Sequence, residues 1–224
     1  MNYKKKILFY FILFFNGINL LSQARVEGNF SFPPEKYSEI SLDISKHNIF
    51  YKYTYVYNPQ KTSKTKVSHT ILQVGKYFTK FTDVFTLKKD SLQKKFSTLR
   101  RVGAKEINKT LAFAYYIGFD KNIIRELKTN KIIFQGKVSS KNYEFKISKP
   151  NFIWNLQNNQ KKILDYTVNK ATVLYAGRKW VAWYTEDVPM SLGPYIFEGL
   201  PGLILELYDE KKNFHFIIEG IDSK

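Results

Sequence analysis

Glu206 and His215 are the two residues of this sequence whose types and spacing most suggest acid–base chemistry. They lie on either side of the charged segment 209–212. If that segment is the loop of a hairpin, Glu206 and His215 face each other directly across two strands. A histidine that is oriented by a carboxylate can act as a general base or as a metal ligand. The alternative, which fits these residues better, is an ordinary polar pair on a solvated sheet face.

Other catalytic or metal sites find little support in the sequence. His47 and His69 are isolated, and the chain contains no cysteine, so we predict no metal site. Ser191 does not lie in a Gly-x-Ser-x-Gly motif, and no glycine-rich run is followed by Lys-Ser or Lys-Thr. We therefore predict no cofactor, and we consider enzymatic activity the weaker of the functional interpretations.

Aromatic residues give a stronger indication of a binding site. In a strand over 180–184, a period of two places Trp180 and Tyr184 on one face and Trp183 on the other. Such a strand either is covered on both sides or lines an apolar groove, and core packing fits the tryptophans better. A second row of aromatic residues shares one strand face: Tyr51, Tyr53, Tyr55 and Tyr57. Here core packing and binding are equally plausible, because four hydroxyls are costly to bury unpaired.

The run 199–204, Gly-Leu-Pro-Gly-Leu-Ile, indicates a stiff turn that leads into an apolar strand. Pro201 has a fixed φ, and Gly199 and Gly202 permit backbone conformations that other residues avoid. The turn either sets the strand angle at a sheet corner or presents Leu200 and Pro201 to a ligand as an apolar lip. The predicted ligand-binding residues are Trp180, Trp183, Tyr184, Gly199, Leu200, Pro201 and Gly202.

Strand patterns dominate the elements that must position these residues. Beyond the segment 50–57, alternating or apolar runs predict strands near 69–74, 77–85, 122–128, 131–138, 142–147, 163–175, 179–185, 203–208 and 213–221. In the last hairpin, a loop at 209–212 gives one apolar face, on which Leu205 is opposite Phe216. A short helix capped by Asp90 or Ser91 and a second helix over 106–116 complete the prediction. The fold class is mainly β (α+β): a curved antiparallel sheet or incompletely closed barrel, with one or two short helices.

The N-terminus has the pattern of a cleavable signal peptide. Three lysines at 4–6 precede an apolar run over 7–15, and a Ser-x-Ala site ends at Ala24. The apolar run is too short to span a bilayer, and no later stretch is long or apolar enough to do so. We predict a signal peptide at 1–24, followed by a single β-rich domain at 25–224.

The chain is strongly basic, with a formal net charge of +17. Loss of residues 1–24, with three lysines and no acidic residue, leaves about +14. This excess favours anionic partners such as lipid headgroups, acidic glycans or acidic protein surfaces, although lysines that serve only solubility explain it equally well. We predict no nucleic-acid partner, because an exported protein rarely meets nucleic acid.

The region from about 163 to 221 resembles the GLPGLI family, exported proteins of Bacteroidetes-type bacteria whose function is unknown. The resemblance rests on Lys170-Ala171-Thr172, Gly177-Arg178, Trp183-Tyr184, Pro189, Gly193-Pro194 and the run 199–204. It implies a protein of the periplasm or cell envelope, or a secreted one, and it supplies no activity.

Three functional hypotheses follow. The first is a non-enzymatic binding or carrier module for an apolar, amphiphilic or peptide ligand, held on a concave aromatic face of the sheet. The second is an accessory subunit that docks on an outer-membrane protein through its basic surface and an exposed strand edge. The third is a hydrolase that uses Glu206 and His215.

Overall fold

The computed structural model describes residues 25–58, 60–138 and 141–223. The predicted signal peptide at 1–24 lies outside these residues and stays a prediction. Among the described residues, no helix combines the length and the apolar character needed to cross a membrane.

Nearly half of the described chain forms one large antiparallel sheet. Its strands are β2 (His47–Val56), β3 (Thr65–Val74), β4 (Phe78–Asp83), β6 (Lys121–Glu126), β7 (Lys131–Val138), β8 (Lys141–Ser148), β9 (Asn155–Ile163), β10 (Tyr166–Tyr175), β11 (Arg178–Thr185), β12 (Leu203–Asp209) and β13 (Phe214–Ser223). Two short strands, β1 (Ser31–Phe32) and β5 (Val102–Gly103), pair separately. The order in the large sheet is β8-β7-β6-β4-β3-β2-β13-β12-β11-β10-β9, so the sheet ends at β8 and β9 and does not close into a barrel. The predicted mainly β fold is confirmed.

Two helices, α1 (Val84–Ser97) and α2 (Ala104–Tyr116), complete the fold. The second helix begins two residues before its predicted start and ends where predicted. The predicted start of the first helix at Asp90 or Ser91 is wrong, because the cap is Asp83, whose carboxylate accepts a hydrogen bond from the Phe85 amide at 2.7 Å. Asp83 is fully buried at the end of β4, so the helix begins where the strand stops.

The segment predicted as one strand over 163–175 is divided by a turn. Ile163 ends β9, Tyr166 begins β10, and Leu164 between them has a φ of 51°. The strand β9 is rich in Asn, Gln and Lys and shows no recognisable strand pattern. An edge strand buries few of its side chains, and it therefore lacks the apolar alternation by which strands are recognised.

The hairpin of β12 and β13 has the predicted faces but not the predicted register. Tyr208 lies opposite His215, and Glu206 lies opposite Ile217, two positions away from the predicted pairing. The cause is Asp209, which was expected in the loop but is buried at the end of β12, where its carboxylate accepts a hydrogen bond from the Phe214 amide at 2.8 Å. A shift of two positions keeps every side chain on its face, so Glu206 and His215 are diagonal neighbours.

The segment 186–202 between β11 and β12, called here the connecting segment, fills the inner side of the sheet. Three of its side chains are at most 1% exposed: Ile196, Phe197 and Leu200. The ring centroid of Phe197 lies 4.7 Å from that of Trp180 on β11, and the centroid of Tyr195 lies 6.1 Å from that of Phe134 on β7. Because β7 and β11 are far apart in the strand order, the sheet must curve around this segment.

Candidate functional site

Glu206 belongs to an ionic cluster on the outer face of the sheet, the face opposite the connecting segment. His215 Nε2 lies 2.7 Å from Glu206 Oε1, and Lys161 of β9 pairs with the other carboxylate oxygen. Trp183 is the direct partner of Glu206 in the ladder of β11 and β12, and the Lys161 ammonium lies 4.3 Å from its ring centroid. The Trp183 indole is 3.5 Å from the Tyr208 hydroxyl. These five residues form what we call the outer-face cluster.

The outer-face cluster engages both oxygens of its carboxylate. Burial raises the pKa of Glu206. The hydrogen bonds from His215 and Lys161, together with the charge of Lys161, lower the pKa by more than burial raises it, so the net shift is downward. Glu206 is therefore ionised at neutral pH and bound on both sides. No group of three or more His, Asp or Glu side chains in the described parts of the chain is placed to hold a metal ion. Hydrolysis by Glu206 and His215 stays a prediction, since their contact alone provides no nucleophile.

The turn at 199–202 needs glycine at two positions, for different reasons. Gly199 has a φ of 93° and Gly202 a φ of 159°, in the region that favours glycine. A Cβ atom on Gly202 would lie 1.9 Å from the carbonyl oxygen of Thr185, whereas one on Gly199 would come no closer than 3.7 Å to the Trp154 indole. Gly202 is thus required by the close approach of the turn to the end of β11.

Leu200 and Pro201 lie in different surroundings. Leu200 is 1% exposed and packs in the core, while Pro201 is exposed. The two residues therefore do not form the predicted lip together. The turn delivers β12 into the core, as the structural interpretation of the motif expects, and a ligand contact at Pro201 stays a prediction.

A buried arginine fixes the connecting segment from the opposite end of the sheet. Arg125 of β6 is 3% exposed, and its Nη1 lies 3.4 Å from Glu198 Oε2. Its Nη2 donates to the carbonyl oxygens of Gly193, at 3.3 Å, and of Tyr195. Lys149 pairs with the second oxygen of Glu198. Burial lowers the pKa of Arg125 to about 10 despite the opposing charge of Glu198, so the guanidinium remains charged at neutral pH.

Tyr195 and Trp180 line a cleft of about 660 Å³ on the inner side of the sheet. The rings of β2 and β13 stack along it: Tyr53 lies 4.3 Å from Phe216 and 4.9 Å from Tyr55, centroid to centroid. Further aromatic lining comes from Phe119, Tyr175 and Phe214. We call this space the aromatic cleft.

The aromatic cleft presents phenolic hydroxyls that the protein does not use. Within the described chain, the hydroxyls of Tyr53, Tyr55 and Tyr195 have neither a hydrogen-bond partner nor complete burial. The hydroxyl of Tyr51, by contrast, donates to the Ile204 carbonyl oxygen at 2.8 Å. Burial raises the pKa of Tyr53, Tyr55 and Tyr195, so their hydroxyls stay neutral and can both donate and accept.

Charged side chains at the cleft are paired with one another. Arg178 Nη1 lies 2.9 Å from Asp209 Oδ2, and its guanidinium lies 4.9 Å from the Phe214 ring centroid. Lys121 Nζ lies 2.8 Å from Asp120 Oδ1. The cleft therefore combines apolar ring faces and neutral hydroxyls with locally balanced charge.

The structure separates the predicted ligand-binding residues. Trp180 lines the aromatic cleft, and Trp183 belongs to the outer-face cluster, as the strand period predicted. Tyr184, 4% exposed, is packed in the core, and the turn residues 199–202 lie outside the cleft lining. The binding role of these residues stays a prediction, and the geometry favours it most at Trp180.

Sequence reasoning missed Phe119, Tyr175, Tyr195 and Phe214 as cleft residues. It found the tyrosine row of β2 and the tryptophans of β11 separately, but the strand order that places β13 and β12 between them was not predicted. The turn 176–177 was a usable signal: Ala176 and Gly177 have φ values of 50° and 72°, as in a tight hairpin, and Ala176 lines the cleft.

Comparisons with known proteins bear on fold and family. Two solved structures of PNGF-II, in space groups C2 and P21, are similar to this chain, with TM-scores of 0.54 and 0.53 and sequence identities of 14% and 15%. Each comparison covers 81% of this chain but only 28% and 29% of the PNGF-II chain. At such identity the likeness shows the fold alone. No curated protein matches the sequence.

The family comparison falls on the segment that carries the signature. Residues 176–206 match a family described as "Protein of unknown function (Porph_ging)". The match begins at the β10–β11 turn, includes Trp180, Trp183 and the connecting segment, and ends at Glu206. It confirms the resemblance that the signature predicted to the GLPGLI-type Porph_ging family, whose function is unknown.

Proposed function

We propose that this protein is an exported, non-enzymatic binding or carrier module that holds an amphiphilic ligand in the aromatic cleft. The observation that carries the proposal is the combination of about 660 Å³ of space with aromatic walls and unused hydroxyls. Small-molecule sites are of this size, and they are mostly apolar with a few polar groups that orient the ligand. The family that residues 176–206 match has no known function, and the likeness to PNGF-II shows the fold alone, so the proposal rests on the cleft.

An amphiphile suits the cleft better than a purely apolar or an ionic ligand. Stacked rings such as Tyr53 and Phe216 offer apolar faces, and the hydroxyls of Tyr55 and Tyr195 offer neutral hydrogen bonds. A purely apolar ligand would leave these hydroxyls unpaired, which is costly. Because the charges of Arg178 and Asp209 are already paired, the cleft holds no free charge of theirs for an ionic ligand.

The proposed place of action is the periplasm or the cell envelope. It rests on the predicted signal peptide at 1–24. A carrier of amphiphiles also suits a compartment bounded by membranes.

The experiment is native mass spectrometry of the protein purified without detergent. The expected result is a reproducible bound mass, lost in Trp180→Ala and retained in Trp183→Ala. The two tryptophans are a matched pair, since both lie on β11 and are similarly buried, at 6% and 9% exposure. If Trp180→Ala does not fold, Tyr55→Ala removes a less buried cleft residue.

Two results would contradict the proposal. One is a bare chain that also takes up no added 1-monolauroylglycerol or dodecylphosphocholine, two amphiphiles without net charge. The other is equal loss of the bound mass in the two tryptophan variants, which would point to a general loss of stability. Binding of unstructured peptides in place of amphiphiles would overturn the proposed ligand class while leaving the site intact.

A second candidate function is docking on an outer-membrane protein through β8. This strand is an edge of the sheet, and Tyr143 and Phe145 on it are 52% and 54% exposed. An exposed edge with apolar side chains can accept a strand from a partner. Site-specific crosslinking from position 145 in intact cells tests it, with position 174 on β10, where Leu174 is 80% exposed, as the control.

A further inference from the structure

The two helices form a surface element that is only loosely attached to the sheet. No residue of α1 or α2, all of which the structure describes, is buried. At one end of the pair, the link between the helices contains β5, which pairs with β1 through Phe32 opposite Val102. Arg101 Nε donates to Ser31 Oγ at 2.7 Å and strengthens this junction.

Apolar side chains protrude at this junction. Phe30 and Phe32 are 37% and 44% exposed and stack on each other, with ring centroids 6.0 Å apart. Leu99, just before β5, is 40% exposed. With the exposed side chains of Lys95 and Arg100, these residues make up what we call the basic tip.

Positive charge predominates in the two helices and their link, whereas residues 25–39, which include Phe30 and Phe32, contain two basic and three acidic residues. Residues 84–116 contain eight Lys or Arg and two Asp or Glu, a net charge of +6. One of the two acids, Glu106, is engaged locally, since its Oε2 accepts a hydrogen bond from the Gly103 amide at 3.1 Å. The ammonium of Lys94 pairs with Glu39, but Lys95 and Arg100 take part in no ion pair of the described residues.

We propose that the basic tip binds the surface of a membrane that contains anionic phospholipids. Exposed Phe and Leu side chains partition into the headgroup and acyl boundary, and adjacent Lys and Arg side chains attract the lipid phosphates. Binding to an acidic protein would account for the positive charge of the tip but not for its protruding apolar residues. No residue of the tip lines the aromatic cleft, so the membrane proposal can be tested independently of the ligand.

The experiment is co-sedimentation of the purified protein with lipid vesicles. The intact mass is measured first, to establish that residues 1–24 are absent and cannot act as an anchor. Vesicles of phosphatidylcholine alone are compared with vesicles that contain about 30% phosphatidylglycerol, at about 0.1 M and about 0.5 M salt. We expect binding to the anionic vesicles at low salt, and a partition coefficient about tenfold lower at high salt or without phosphatidylglycerol.

Two tip variants and one control locate the binding surface. Lys95→Glu/Arg100→Glu and, separately, Phe30→Ser/Phe32→Ser are each expected to lower the partition coefficient about tenfold. Lys131→Glu/Lys162→Glu changes the net charge of the protein by the same amount at exposed positions on β7 and β9, and should lower it less than about threefold. Circular dichroism checks that each variant is folded.

Two outcomes would overturn the proposal. The first is that the native protein does not bind anionic vesicles. The second is that the control variant loses as much binding as the tip variants, since attraction would then come from the overall charge and not from the tip. If Phe30→Ser/Phe32→Ser does not fold, Lys95→Glu/Arg100→Glu alone tests the proposal, because this variant leaves the apolar contacts of the tip intact.

Discussion

The two faces of β11 show how differently this protein treats its polar groups. On the outer face, Trp183 lies beside a carboxylate whose two oxygens are both bound, by His215 and by Lys161. On the inner face, Trp180 lines a cleft in which hydroxyls such as that of Tyr55 have no partner in the described chain.

The outer face therefore contains residue types capable of acid–base chemistry, whereas the inner face contains residues placed to bind a ligand. Glu206 and His215 have suitable types, but they satisfy each other and stabilise the pairing of β12 with β13. The cleft contains less reactive side chains, yet it combines space with unused hydrogen-bonding groups. Where polar groups are already paired, a ligand must displace those pairings, and where they are unpaired it gains by supplying partners.

The largest expected effect comes from Arg125→Met, which tests whether the contacts of Arg125 hold the connecting segment in place beside the cleft. The change leaves Glu198 without its buried partner and removes the donor to the carbonyl of Tyr195. We expect a loss of about 3–5 kcal/mol in the free energy of unfolding, measured by urea denaturation, together with loss of ligand binding. Full retention of both stability and ligand would show that the connecting segment is held by its apolar contacts alone.

Glu206→Gln should have a smaller effect, confined to the outer face. We expect a loss of about 1–3 kcal/mol at neutral pH, because Lys161 and His215 lose a charged partner but keep access to solvent. The pKa of Glu206 is lowered in the folded protein, so its contribution is present above its ordinary pKa and is lost as pH falls through the lowered value. The difference in stability between native protein and variant should therefore shrink on acidification below about pH 4.5.

Unchanged ligand binding in Glu206→Gln is the second half of that prediction. A variant that folds but no longer binds ligand, or that loses a measurable hydrolytic activity, would move the functional site to the outer face. The outer face, and not the inner face, would then be the one that acts on the ligand.

The smallest effect is expected from Tyr55→Phe, which removes one hydroxyl from the cleft. Affinity for a bound amphiphile should fall by about two- to tenfold, with stability nearly unchanged, as for the loss of one hydrogen bond. Tyr57→Phe is the matched control, because Tyr57 lies just beyond the end of β2 and is 47% exposed. Isothermal titration with 1-monolauroylglycerol measures both. Equal affinities in the two variants would show that the Tyr55 hydroxyl is not used.

Much of the fold could be predicted from local patterns. The alternation of Leu203, Leu205 and Leu207 identified the core face of β12, and the tight turn at 176–177 identified the hairpin of β10 and β11. Two of the errors have one cause in common, which is a polar residue used inside the fold. Buried Asp83 and Asp209 moved a helix start and a hairpin register, because long-range partners satisfy their carboxylates.

The candidate site was less predictable, for reasons of distance along the chain. Period-two arguments placed Trp180 and Trp183 on opposite faces but could not say which face is open. The answer depends on Arg125, which lies 73 residues from Glu198 and yet holds the connecting segment against the sheet. No local sequence pattern predicts a contact between residues so far apart in the chain.

Photolabelling with a diazirine-bearing monoacylglycerol, followed by peptide mapping, tests the central claim most directly. The claim is that ligand occupies the aromatic cleft and not the outer face. We expect labelled peptides that contain Tyr53, Tyr55, Tyr195 or Phe214, with labelling suppressed by excess 1-monolauroylglycerol. The claim is contradicted if Lys161, Tyr208 or Trp183 is labelled, if excess unlabelled ligand suppresses that labelling, and if no cleft residue is labelled.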